Sequence, residues 1–191
     1  MPINKLRPSR RGSSAIAAVM AMVAVVIGGV RYINGVPDDV VLASEYLVKP
    51  WEGEVLHAYK DVVGVVTICD GDTENVHMGM VETPAGCEAR LQKRMTKDFR
   101  PALVKCVAGF NKAPLSWRAM MDSLSYNIGS AAACNSRAAA FGRQGKWLDS
   151  CNAATAFNRA GGRVIIGLVR RRENGDATRI GEGEICVSGV D

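Results

Sequence analysis

From residue 39 onward the apolar positions fall into rhythms that divide the chain. Val40, Val41, Leu42, Tyr46 and Leu47 recur at helical spacing and predict a helix over 39–49, and Val55, Leu56 and Ala58 continue that spacing over 51–58. From Tyr59 the pattern changes to short β-branched runs, Val62-Val63 and Val65-Val66-Thr67-Ile68, around Gly64, which predicts a hairpin. Thr83-Pro84 then opens a long helical stretch to about Val107, with Thr83 as cap, Pro84 at the first position and Pro101 as a point of kinking. Ala-rich helical segments follow over 114–128, 136–144, 146–157 and 164–172, broken at Gly129, Gly145 and Gly161-Gly162. The sum is α+β: a helix and small β-lobe, a long connecting helix and a larger helical lobe.

Ahead of this pattern lies a run of another kind. Gly12–Val30 holds nineteen uncharged residues, close to the ~20 that span a hydrocarbon core. Ten of them are Ala, Gly or Ser and none is Leu or Phe, so insertion is expected to be marginal. Two readings lead, an uncleaved anchor and a cleaved secretory signal, and a buried core helix comes third, because nineteen residues without a polar face would need core on all sides. A small-x-small cleavage site would fall inside the apolar run or beside Arg31, which favours the anchor. The basic residues before it predict an N-terminus on the cytoplasmic side and everything after Arg31 on the far side. The expected division is 1–31, basic arm and membrane segment, and 32–191, a single domain.

Charge follows the same division. Net charge is +5, and residues 1–31 carry all of it, in Lys5, Arg7, Arg10, Arg11 and Arg31. The rest is neutral, which removes the case for a nucleic-acid binder. It is also polarised, −9 over 38–88 and +9 over 89–191. All six cysteines, Cys69, Cys87, Cys106, Cys134, Cys151 and Cys186, follow the apolar run, as expected for disulfides in an exported domain. Without a CxxC pair, and with His57 and His77 at no ligand spacing, no metal is expected. If 84–107 is one helix, Cys87 and Cys106 stand ~28 Å apart, far beyond the ~6 Å of a disulfide. That leaves Cys69 for Cys87, Cys134 for Cys151, and Cys106 for Cys186.

The chemistry concentrates in 51–73. Glu52 on a helix end is followed nine residues later by Asp61 at a hairpin, and then by Thr67 on the returning strand. Glycoside hydrolysis needs an acid for the leaving oxygen and a second carboxylate for water or for the cationic transition state. Spacing alone favours surface acids flanking a hairpin, since two acids nine residues apart are common.

The string Trp-Glu-Gly…Leu-x-Ala-Tyr-x-Asp-x-x-Gly-x-x-Thr-Ile-x-x-Gly-x-Thr, with Ser-Leu-Ser-Tyr-Asn-Ile-Gly at 123–129, Asn135-Ser136 and Gly-Leu-Val-Arg-Arg-Arg-Glu at 167–173, resembles the bacteriophage lysozymes, the muramidase endolysins. The apolar run ahead of it resembles the signal-anchor-release subgroup. The resemblance implies a lysozyme-like fold and cleavage between N-acetylmuramic acid and N-acetylglucosamine, with no cofactor. It implies Glu52 as general acid, Asp61 as the carboxylate acting on water, Thr67 as its partner, and Asn127 and Ser136 as substrate-binding candidates. Glu54 reads as a solvated neighbour, Trp51, Trp117 and Trp147 as core, and Arg170-Arg171-Arg172 as a solvated basic face in preference to a run from which one guanidinium reaches back to Glu52. The family's Gly-x-Gly-His-Thr stands here as Cys69-Asp70-Gly71-Asp72-Thr73, so a histidine is lost and two acids are gained. Expected partners are peptidoglycan, the host inner membrane through residues 12–30 and, functionally, a holin. The expected state is a monomer, held at the inner membrane and then released to the periplasm. The rival is a membrane-tethered peptidoglycan-binding or inhibitory protein without catalysis.

Overall fold

The computed structural model describes residues 2–61 and 63–190, so the expected strand residue Val62 lies outside the described residues. Helix α1 (Arg10–Ala21) leads to a three-stranded antiparallel sheet of β1 (Val25–Ile27), β2 (Val30–Ile33) and β3 (Val36–Pro37). A continuous helical run follows: α2 (Asp38–Ala43), a π-helical turn (Ser44–Val48) and α3 (Lys49–Glu52). The hairpin β4 (Val55–Lys60) and β5 (Val66–Cys69) comes next, then α4 (Pro84–Arg94), a second π-helical turn (Met95–Phe99) and α5 (Arg100–Cys106). The helical lobe comprises α6 (Leu115–Ile128), α7 (Ser130–Cys134), α8 (Arg137–Gly142) and α9 (Trp147–Ala154). A short hairpin, β6 (Arg159–Ala160) and β7 (Arg163–Val164), precedes α10 (Ile166–Arg172) and α11 (Glu182–Ser188).

The two π-helical turns share a cause. Each stands directly before a residue–proline pair, Lys49-Pro50 and Arg100-Pro101, at the start of the next α segment. A proline ring collides with the carbonyl four residues back and offers no N–H to it. Widening the preceding turn relieves the collision, and the N–H groups of Lys49 and Arg100 bond five residues back to Ser44 and Met95. The expected kink at Pro101 is therefore absorbed without ending the helix.

Two sequence expectations are corrected here. Residues 51–58 do not form a helix, because Gly53 adopts φ 79° and ends it, and Val55–Lys60 is a strand paired with Val66–Cys69. The first strand of the hairpin thus comes earlier than expected. Nor is 12–30 one helix. Met22 turns extended at ψ 146°, and Gly28 and Gly29, at φ 57° and 79°, link β1 to β2. Among the described residues no helix is long and apolar enough to cross a membrane.

What the small residues of that segment permit is close packing. A Cβ on Gly12 would meet Ser188 Oγ at 2.6 Å, so α1 lies directly on α11, with Ala15 and Val19 buried. The arm before α1 is tied down by Ile3 and Asn4 N–H groups donating to Glu173 (2.5 and 3.0 Å), and the start of α1 by Arg11, whose Nε meets Glu184 at 2.7 Å. Val25, Val26 and Ile27 remain exposed.

The main core gathers Leu103, Phe110, Trp117, Met120, Met121 and Leu124 from α5, α6 and the loop between them. Trp117 is fully buried, its indole N–H donates to Ser150 Oγ at 2.7 Å, and its ring lies where a Cβ on Gly142 would stand, 2.3 Å away. Deleting such a ring costs about 3–5 kcal/mol. Trp147 packs on it with ring centroids 5.0 Å apart. A second core, with Leu42, Leu47 and Met95, joins α2 and the π-helical turns to α1. Between the two runs a buried charge cluster, Asp38 and Asp39 with Arg100 and Arg118, ties α2 to α5 and α6. Asp122 sits in the same cluster, where its burial and the charge of Asp39 push its pKa well up.

Cys69 is bonded to Cys87, as the sequence argument expects. The other two pairs differ: Cys106–Cys134 and Cys151–Cys186 replace Cys106–Cys186 and Cys134–Cys151. The short helix α7 turns back onto α5, carrying Cys134 to Cys106, and α9 packs on α11, carrying Cys151 to Cys186. Neither approach leaves a mark in sequence spacing.

Candidate active site

Glu52 closes the helical run 38–52, and Gly53 frees the chain to enter β4. Its carboxyl is partly exposed, at 26%, and its Oε1 accepts from Arg171 Nη1 at 2.6 Å. Arg171 itself is buried on α10 and donates through Nε to Glu182 Oε1 at 3.3 Å. Glu182 is buried at the start of α11 and also holds Arg172, while Ser123 of α6 donates to it at 2.8 Å. Burial would lower the pKa of Arg171, but Glu182 and Glu52 outweigh it and raise it, so the guanidinium stays charged. Of the two sequence readings of Arg170-Arg171-Arg172, the preferred basic face is corrected and the other holds: Arg171 and Arg172 are buried, and Arg171 reaches Glu52.

Glu52 shares a pocket of about 240 Å³ with Asp70, Gly71, Arg94, Phe99, Tyr126 and Asn127. Tyr126 Oη donates to the backbone carbonyl of Asp70 at 2.8 Å, and burial together with the negative charge of Glu52 raises its pKa, keeping the hydroxyl protonated. The Tyr126 ring packs against Phe99 with centroids 5.2 Å apart. Asn127 lines the pocket while its Oδ1 accepts from Arg172, so the Arg-Glu network fixes its orientation.

Asp61 sits where β4 turns towards β5. Its Oδ1 accepts from the N–H groups of Val63 (2.9 Å) and Val65 (2.8 Å), and its own N–H donates to Val65 O at 2.9 Å. The carboxylate thereby builds the turn and keeps its other oxygen clear of those bonds. Thr67, buried on β5, pairs with Tyr59 across the hairpin and donates to Val65 O at 3.1 Å. A register shift between Val55 and Tyr59 bends β4. The hairpin leads from Glu52 out to Asp61 and back past Thr67 to Asp70.

Ser136 is elsewhere. Its hydroxyl accepts from Ala139 N at 3.0 Å and donates to Ala133 O at 2.6 Å, capping α8 in a buried position apart from this pocket. Trp51 donates to Ile180 O at 2.9 Å and lies under the Arg179 guanidinium. In the Cys69–Thr73 segment, Asp72 meets Arg90 at 2.8 Å and Arg94 at 3.1 Å. Burial alone would raise its pKa, but the Glu74 N–H and the two guanidiniums reverse this and hold it below the usual carboxylate range.

A helix-end carboxyl on a buried arginine, followed by a hairpin with a second carboxylate and packed against a disulfide-braced helical lobe, defines a lysozyme-type glycoside hydrolase. The Phage lysozyme family pattern matches residues 49–175, and the chain belongs to that family, among its signal-anchor-release endolysins. It is 32% identical over 145 residues to the SAR-endolysin of Enterobacteria phage P21, covering 72% of this chain and 78% of that one. Its fold is similar to the endolysin from Escherichia coli O157:H7 phage FAHEc1, with a TM-score of 0.61, 23% identity and coverage of 98% and 97%. The active form of P1 phage endolysin Lyz gives a TM-score of 0.63 at 19% identity, covering 97% of each chain.

Proposed function

We propose that this endolysin hydrolyses the β-1,4 bond between N-acetylmuramic acid and N-acetylglucosamine, with Glu52 as general acid, Asp61 as the carboxylate that activates water and Thr67 as its positioning partner. The observation that carries this reading is the placement of Glu52, the last residue of its helix, held at one oxygen by a buried arginine inside a pocket large enough for part of a sugar. A carboxyl fixed at one oxygen presents the other to a glycosidic oxygen in a defined direction. Asp61 supports its role in the same way, since the hairpin amides orient its carboxylate from Oδ1. Asn127 is the second glycan contact in this reading.

The N-terminal segment completes the proposal. Residues 12–30 serve as a weak anchor in the host inner membrane, inserted with the basic arm in the cytoplasm, and the arrangement of α1 and β1–β2 is the released, periplasmic state. The docking of the arm on Glu173 and Glu184 and of Gly12 on Ser188 supports a segment with two homes. Peptidoglycan is the substrate, a holin the partner that sets release in motion, and the enzyme acts as a monomer. The test is loss of turbidity by Gram-negative cells stripped of their outer membrane, with mass spectrometry of the fragments. Reducing N-acetylmuramic acid ends support hydrolysis; anhydro ends or no cleavage refute it.

A further inference from the structure

Two acids stand between Cys69 and Thr73, and the structure treats them differently. Asp72 is fully engaged, by the Glu74 N–H, Arg90 and Arg94. Asp70 is 2% exposed, and neither carboxyl oxygen has a hydrogen-bond partner among the described residues. It nonetheless lines the pocket that holds Glu52. Its backbone is pinned there by Tyr126, which donates to the Asp70 carbonyl.

A buried carboxyl without donors is costly, and native structures rarely keep one without a use. Among the described residues no cation is bonded to it. Arg94 is committed to Asp72 and Asp98, Arg171 to Glu52 and Glu182, and Lys49 lies between Glu45 and Glu88. The other charged neighbours are Glu52 of α3 and Glu54 of the following turn, both acids. Burial, then Glu54, pushes the Asp70 carboxyl up to about 6 against the pull of Lys49, with Glu52 adding to the rise. Such a group offers a proton at mildly acidic pH and two acceptors above it.

We propose that Asp70 is a glycan-contacting residue of this cleft, whose carboxyl is satisfied by a hydroxyl or acetamido N–H of the sugar unit lodged beside Glu52. The inference rests on the glycan-cleaving reading above and adds a substrate contact to it. Asp70 then offers the bound sugar an acceptor that no donor of the described residues occupies, which adds to affinity.

The experiment is calorimetric binding of a soluble hexasaccharide of alternating N-acetylglucosamine and N-acetylmuramic acid to the full chain carrying Glu52→Gln, which blocks turnover. Adding Asp70→Ala should raise Kd about tenfold or more, the equivalent of one hydrogen bond, while the thermal midpoint stays level or rises. Adding Asp70→Asn, which keeps shape and an acceptor oxygen, should restore most of the affinity. If Asp70→Ala does not fold, Asp70→Ser carries the same expectation with a side chain too short to reach. Unchanged Kd in the Ala or Ser protein overturns the proposal and leaves the glycan reading standing. Failure of the Glu52→Gln protein with Asp70 intact to bind the hexasaccharide overturns both.

Discussion

Arg171 holds Glu52 and Glu182 at once, donating through Nη1 to the first at 2.6 Å and through Nε to the second at 3.3 Å. The position of the cleft carboxyl is therefore set by α11, more than a hundred residues away in sequence. Only a planar guanidinium spans both acids, so Arg171→Lys keeps the charge and loses the fork. Misplacement of a catalytic group by ~1 Å costs up to about 100-fold in rate. Arg171→Lys is expected to lower kcat by about that order with a smaller change in KM, measured on purified peptidoglycan.

Glu52→Gln should abolish lysis while the folded signal in circular dichroism stays unchanged, because the amide has the carboxyl's shape and no acidic proton. Asp61→Asn should be similarly damaging. Glu54, exposed just beyond the helix end, is the control, and Glu54→Gln should lyse at close to the parent rate. An essential Glu54 beside a dispensable Glu52 would overturn the assignment.

Asp70 also gives stability a pH dependence. Its folded-state pKa of about 6 lies above the usual 3.8, so the folded protein holds the proton more tightly than the unfolded chain. The resulting stabilisation is complete below the unfolded value and is lost as pH rises through about 6. The shift corresponds to at most about 3 kcal/mol. Asp70→Asn should therefore match the parent near pH 4 and exceed it in stability at pH 8, as read by urea unfolding at the two pH values.

The disulfides predict a connectivity and a cost. Non-reducing peptide mapping should recover Cys106 linked to Cys134 and Cys151 linked to Cys186. The second bond closes a separation of 35 residues, for which chain entropy predicts about 4 kcal/mol. Replacing Cys151 and Cys186 together by Ala should lower stability on that order, because both are fully buried between α9 and α11.

If the N-terminal segment cycles between membrane and folded protein as proposed, Gly28 and Gly29 carry opposite demands in the two states. In the folded protein they adopt φ 57° and 79°, a region that leucine avoids, whereas leucine in a bilayer strengthens insertion. Gly28→Leu with Gly29→Leu should shift the protein into the membrane fraction and delay lysis. Release of soluble full-length enzyme on the parent's schedule would refute the switch.

Much of this protein was legible residue by residue because local chemistry decides it. Thr83 accepts from Gly86 N and Pro84 follows at the first position, so the α4 start needs no distant partner. Gly129, at φ 84°, marks the end of α6 through backbone freedom alone. The string from Glu52 through Asp61 to Thr67 is compact enough for a helix end and one hairpin to carry it. What the tertiary structure decided depends on surfaces meeting. Spacing assigned 51–58 to a helix, but pairing with β5 and the Gly53 turn made its second half a strand. The partners of Cys106 and Cys151 follow from α7 folding onto α5 and α9 onto α11. Arg171 reads as surface in sequence because an arginine's burial is set by whether acids such as Glu52 and Glu182 converge on it, and their convergence is a property of packing. The same holds for 12–30: its apolar composition suits a bilayer, and only the faces of α11 and the Gly28-Gly29 turn make it a helix and a hairpin in the folded protein.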